Sequence, residues 1–235
     1  MQSLGLEVLF KGRNFARLLE GLWAAVKISL LSIAVSMVLG TVLGILAGRK
    51  SRTGRFALRC YLEFIHIMPQ MVLLFLVFFG TAKAFGWNLS GEVSSVIVFS
   101  LWGTAEMSDL VRGAVTSIPV IQRESALALG LTRAQAYRWV ILPQAVRRLI
   151  PQSINLITRM IKTTSLVLMS GVVEILKVAQ QIIEANRKSS PNAAFGVYLT
   201  VFLLYFLLCW PVSLLARRLE KRWGCPAMKS QGGSG

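Results

Sequence analysis

Charge is scarce in this chain. Only 15% of its 235 residues are Asp, Glu, Lys or Arg, where a soluble globular domain carries about 25%. That shortage argues against an ordinary soluble fold. Acidic residues are scarcer still, ten against 26 basic ones, which leaves a formal net charge of +16. The three cysteines, Cys60, Cys209 and Cys225, have neither a disulfide framework nor metal-ligand spacing, and they read as small apolar side chains. No Gly-x-x-x-x-Gly-Lys-Ser/Thr segment occurs, so the chain does not cradle ATP phosphates by that route. A nucleophile–base pair and a metal-ligand constellation are missing too. If the protein uses energy, another subunit supplies it.

What is abundant is apolar sequence: 54% of residues are hydrophobic and the mean hydropathy is +0.61. Crossing about 30 Å of hydrocarbon takes roughly 20 helical residues. Five runs meet that length, at about 22–47, 57–84, 93–117, 145–169 and 195–216. The fold class predicted is all-α, a polytopic membrane protein with five transmembrane helices. Pro69 predicts a kink within the second run. Gly40-x-x-x-Gly44 and Gly44-x-x-x-Gly48 in the first permit close approach by a neighbouring helix. None of the runs reads as a cleavable secretory signal.

The basic residues fall at the ends of apolar runs rather than on one solvated face interleaved with aromatics, which argues against nucleic acid as a partner. Segments 48–60, 118–148 and 216–235 hold five Lys or Arg each, against three, none and three in 1–18, 84–92 and 171–194. Positive residues favour the cytoplasm. The N-terminus is therefore expected outside and the C-terminus inside. The organisation expected is an external segment (1–18), a transmembrane domain (19–223) with a cytoplasmic loop at 118–144, and a tail (224–235). The closing Gln231-Gly-Gly-Ser-Gly235 reads as an appended linker.

That loop is the most specific part of the sequence. Pro119 ends the preceding helix, and a short helix is expected from about Gln122. Gly130 is placed to cap it in the left-handed conformation. Thr132-x-x-Gln135 forms a capping box for a second helix, which Pro143 interrupts before the fourth run. Two short helices thus meet at a glycine corner, a shape suited either to a partner's groove or to an amphipathic connector on the membrane.

At these residues the chain resembles the importer permeases of the ATP-binding-cassette (ABC) superfamily. Their loop signature is matched in spacing by Glu124-Ser125-Ala126, Gly130, Val140 and Leu142-Pro143, with conservative departures at Ser125 and Val140. Further stretches resemble the polar amino acid branch: Leu18–Leu22, Asp109-x-x-Arg112-Gly113, Ser117–Pro119, Ala128–Thr132, Leu142–Ala145, Lys162–Leu166 and Leu215–Glu220. The resemblance covers about residues 18–223. It implies a type I importer permease with the MetI-like fold, in the bacterial inner membrane. It implies a homodimer or a heterodimer with a second permease, two ATP-binding subunits that hold ATP and Mg, and an extracytoplasmic binding protein that delivers an amino acid. No cofactor or metal is expected in this chain. The coupling helix corresponds to about Arg123–Leu131, with Glu124, Ser125, Ala126, Gly130 and Leu131 as the ATPase-coupling residues.

Ionisable residues inside a span cost about 2.5–3.5 kcal/mol each on insertion scales and usually face a partner or a cavity. Glu106, Asp109 and Arg112 share one face of the third run. Arg148, Gln152, Asn155, Arg159 and Lys162 form a stripe on the fourth. Mutual neutralisation would pair Asp109 with Arg112 and Glu106 with Arg159. Alternatively, Glu106 and Arg159 complement the ammonium and carboxylate of an amino acid. The substrate-pathway candidates are therefore Glu106, Asp109, Arg112, Asn155, Arg159 and Lys162. Three positions depart from the family pattern: His66 where arginine is frequent, Glu106 where tyrosine is, and Arg159 where the family is often uncharged. An ion- or proton-coupled carrier without ATPases is the alternative function; the capped loop argues against it.

Overall fold

The computed structural model describes residues 5–47 and 52–223. The expectations for the tail, including Cys225 and the linker, and for loop positions 48–51 lie outside the described residues. Helices account for the architecture, and no strand occurs among the described residues. A 3₁₀ turn at Leu6–Phe10 precedes α1 (Asn14–Ala47), α2 (Arg52–Ile67), α3 (Gln70–Phe85), α4 (Gly91–Thr116), α5 (Val120–Ala128) and α6 (Arg133–Ala136). A π turn at Tyr137–Ile141 then leads into α7 (Leu142–Thr163), a 3₁₀ segment at Thr164–Ser170, α8 (Ile175–Ala185) and α9 (Ala193–Trp223).

The closest packing is between α1 and α4, and small residues permit it. Ser29, Ser32, Ser36, Gly40 and Gly44 lie buried along one face of α1. Ser32 and Ser36 donate to the carbonyls of Val96 and Ser100. A Cβ added at Gly40 would sit 2.5 Å from the Met107 side chain, and one at Gly44 would sit 2.7 Å from Val111. These positions therefore require glycine for close approach, as their spacing predicts. Contacts advance together along both chains, so α1 and α4 run parallel. Helix α7 runs antiparallel to α4: Glu106 meets Arg159, Met107 meets Ser153, and Ser117 meets Arg148. Helix α9 starts beside α8, beyond the end of α7, and reaches back so that Glu220 meets Asn155.

Two of the expected spans differ in form from the sequence reading. The second is not one kinked helix but two, α2 and α3, bent by 103° at Met68-Pro69. Proline removes a backbone donor and bars helical geometry from the residue before it, and Pro69 itself is extended, with ψ 128°. The expected interruption at Pro143 is absent. The helix instead passes through the π turn, where the Leu142 N–H reaches the Tyr137 carbonyl and the Gln144 amide donates to Val140 O. Among the described residues, only α1 and α9 are by themselves long and apolar enough to cross a membrane, and the bent pair α2–α3 and the run through α7 into α8 qualify jointly. Helix α4 has the length, but its polar residues lie inside the bundle: Ser94, Ser95, Ser100, Thr104 and Ser108 are all buried.

Three apolar clusters hold the bundle, the smallest being Ala114, Ile118, Ile141 and Ala145 where α4 ends beside the start of α7. Phe99, Met160, Leu74, Val98 and Val167 centre the first, between α1, α3, α4 and α7. The second joins the N-terminal turn, through Val8 and Leu9, to α8 and α9. Cys209 is buried in α9, whereas Cys60 is exposed on α2. Glu174, wholly buried, caps α8: its Oε1 accepts from the N–H groups of Leu176 and Lys177. Burial pushes its carboxyl up to about 7 against the pull of those two donors. Its contribution to stability is complete below about 4.5 and is lost as pH rises through about 7, because the folded state must then hold a buried charge. Glu174→Gln keeps an oxygen for the cap, so its Tm is expected to fall less than the wild-type Tm between about pH 5 and 8. Equal falls would show that Glu174 does not titrate there.

Candidate functional site

Three helices bring charge to one place. Helix α4 supplies Glu106, Asp109 and Arg112 at helical spacing, α7 supplies Arg159, and α2 supplies His66. Arg159 Nη2 donates to Glu106 Oε2 at 2.6 Å, and its guanidinium carbon lies 5.7 Å from the centre of the Trp102 ring, a cation–π arrangement. Arg112 donates to Asp109 Oδ1 through Nη2 at 2.9 Å and through Nε at 3.3 Å. Both pairs anticipated from the spacing are therefore formed, and such charge-assisted bonds are the stronger kind.

His66 stands between the two pairs. Its Nε2 is 4.0 Å from Glu106 Oε1 and its Nδ1 is 3.9 Å from Asp109 Oδ2. Both distances exceed hydrogen-bond length. Each carboxylate thus commits one oxygen to its arginine and turns the other toward the imidazole. Beside them lies a cavity of about 370 Å³ lined by Ala47, Leu58, Arg59, Leu62, Glu63, His66, Asp109 and Arg112. The remaining stripe residues of α7 diverge from this cluster. Asn155 donates to Glu220 on α9 at 3.4 Å, and Lys162 is exposed, outside the ion-pair network. Arg148 holds the end of α4 through Ser117 O and Oγ.

Sequence reasoning overlooked Arg59 and Glu63. Their spacing with His66, four and then three residues, places all three on one helical face. That periodicity was a usable signal once α2 was recognised as a separate amphipathic helix. Trp102, one turn before Glu106, carried no charge to mark it.

The loop corner is built as its residues predict. Helix α5 ends in a double cap: Leu131 N–H reaches Ala126 O and Gly130 N–H reaches Leu127 O, the Schellman pattern with glycine at the left-handed position. Gly130 has φ +85°, and a Cβ there would meet nothing within 4 Å. Thr132 and Gln135 form the reciprocal capping box of α6. Glu124, Ser125 and Gly130 are exposed, Leu131 is half-buried, and Ala126 turns inward. Leu129, outside the anticipated contacts, is the most exposed large apolar residue of the corner at 82%.

Comparison with known proteins bears on this arrangement directly. Residues 40–224 match the family described as binding-protein-dependent transport system inner membrane component. The glutamine transport system permease protein GlnP of Escherichia coli K12 is 31% identical over 87% of this chain and 92% of its own length. The probable glutamine ABC transporter permease protein GlnM of Bacillus subtilis is 29% identical over 93% of this chain and 98% of its own. Among solved structures, an amino acid ABC transporter crystallised with histidines superposes with a TM-score of 0.81 at 24% identity, covering 88% of this chain and 94% of that one. With its family match spanning most of the sequence and its helices arranged as in that transporter, the chain belongs to the binding-protein-dependent transport system inner membrane components.

Proposed function

We propose that this protein is the permease subunit of an ATP-driven importer for a polar amino acid. The observation that carries the reading is the ion-pair cluster of α2, α4 and α7 within a chain whose relatives are named as glutamine permeases. Its mixed charges match the ammonium and carboxylate of an amino acid, and alternating access past such a site moves the substrate. Five passes make up the membrane domain: α1, the α2–α3 pair, α4, α7 with its 3₁₀ extension, and α9. Parallel α1 and α4, with α7 antiparallel, support alternation from an external N-terminus to a cytoplasmic C-terminus, in line with the basic loops.

Helix α5 and its glycine corner are the coupling element. Glu124, Ser125, Gly130 and Leu131, together with exposed Leu129, meet a partner ATPase that binds ATP and Mg, while Ala126 supports the helix from below. A second permease, the same or paralogous, completes the pore, and an external binding protein delivers substrate.

The test is reconstitution in liposomes of the chain with its partner ATPase and binding protein. ATP-dependent accumulation of an amino acid is expected, and uptake should vanish when the ATPase is omitted. Accumulation driven by an ion gradient without the ATPase would identify a secondary carrier instead.

A further inference from the structure

We infer that His66 sets the charge class of the transported amino acid, leaving a carboxylate oxygen free for a cationic group, so that the site takes net-neutral and cationic amino acids and refuses acidic ones. This rests on the reading of the ion-pair cluster as the substrate pathway.

The argument is one of donors and acceptors. Glu106 Oε2 is taken by Arg159, and Asp109 Oδ1 by Arg112. Glu106 Oε1 and Asp109 Oδ2 face His66 from opposite ring nitrogens at 4.0 and 3.9 Å. A neutral imidazole carries one N–H, so it satisfies at most one of these two oxygens. The other remains an acceptor for an ammonium or guanidinium group.

The adjoining 370 Å³ cavity adds Arg59 and Glu63, neither with an ion-pair partner among the described residues. The uncommitted groups are thus one cation, Arg59, and two anionic acceptors, Glu63 and one oxygen beside His66. An α-carboxylate finds Arg59, and an α-ammonium finds one acceptor. A cationic side chain finds the second, and a neutral polar side chain leaves it hydrated. Within the cluster and its cavity an acidic side chain finds no free cation, because Arg112 and Arg159 are already held and Lys162 is not among the residues that line the cavity. Arginine at position 66 would reverse this balance. Its five donors satisfy both facing oxygens and add a fixed positive charge.

The experiment uses the complete transporter in liposomes, supplied with an equimolar mixture of the twenty common amino acids and cystine, with lumenal contents measured by mass spectrometry. The wild type is expected to accumulate neutral or cationic amino acids and to exclude aspartate and glutamate. His66→Arg, with the ATPase still co-purifying, is expected to lower that uptake about tenfold or more, the loss of a charge-assisted hydrogen bond. Accumulation of glutamate or aspartate by the wild type would overturn the proposal without reference to any variant. So would an assembled His66→Arg protein with unchanged rate and profile. No ATP-dependent uptake of any amino acid by the wild type would instead remove the permease reading on which the proposal stands.

Discussion

Gly130→Asp is expected to leave the chain inserted and folded yet abolish uptake and release the ATPase during purification. The geometry makes this variant informative. Gly130 sits at φ +85°, where a side chain costs about 1–2 kcal/mol, less for Asp than for most residues. Open space surrounds the position within the chain, so no internal clash adds to that cost. The caps on both sides, Leu131 N–H to Ala126 O and Thr132 with Gln135, use backbone and side-chain groups that the substitution leaves in place. Whatever is lost beyond a small drop in stability must therefore come from a surface outside this chain. Gly130→Ala serves as the control: it carries the conformational cost without the charge, and should retain partial ATPase binding. Quantifying co-purified ATPase and uptake for both variants checks the prediction. Normal transport by Gly130→Asp would make the loop a connector and nothing more.

The second large effect is expected at Glu106 and Arg159, joined at 2.6 Å between α4 and α7. If the pair belongs to the substrate pathway, Glu106→Gln and Arg159→Gln each abolish uptake while the complex still assembles. The double variant stays inactive, because the Glu106 carboxylate is still missing from the site. If the pair is only structural, each single change strands one charge away from water, a cost of about 3–5 kcal/mol. Each single variant then assembles poorly, and the double neutral variant recovers. Trp102 sharpens the distinction. Arg159 lies against that ring, so Glu106→Gln leaves the guanidinium one favourable neighbour, whereas Arg159→Gln leaves Glu106 only the distant His66. Assembly should accordingly suffer more in Arg159→Gln under the structural account. Restored transport in the double variant would exclude the substrate role.

Much of the local structure was legible because it depends on residues close in sequence. The corner at Gly130 and Thr132 required only a glycine for the left-handed turn and a Thr-x-x-Gln box. Gly40 and Gly44 announced a close helix contact, and Asp109 with Arg112 pair within one turn of α4. The Glu106–Arg159 pair was legible for a different reason: two unlike charges in apolar helices have few alternatives to each other. Pro69 showed where the second apolar run would break but not by how much, since the 103° bend is set by what α2 and α3 pack against. Pro143 misled for a related reason, because the chain enters α7 through a π turn and Pro143 falls in the first turn of that helix, where a missing N–H costs little.

By itself, the sequence determined the all-helical membrane class, the capped loop and the charged stripes, because apolar run length, helical periodicity and end-capping are properties of short segments. Only the tertiary structure decided which of those charges meet. It set His66 between Glu106 and Asp109, brought Arg59 and Glu63 to the same cavity, turned Asn155 toward α9 and buried Glu174 beneath α8. The physical reason is that each of these depends on how one helix is rotated against another. Side-chain packing between residues distant in sequence fixes that rotation, and no local pattern encodes it.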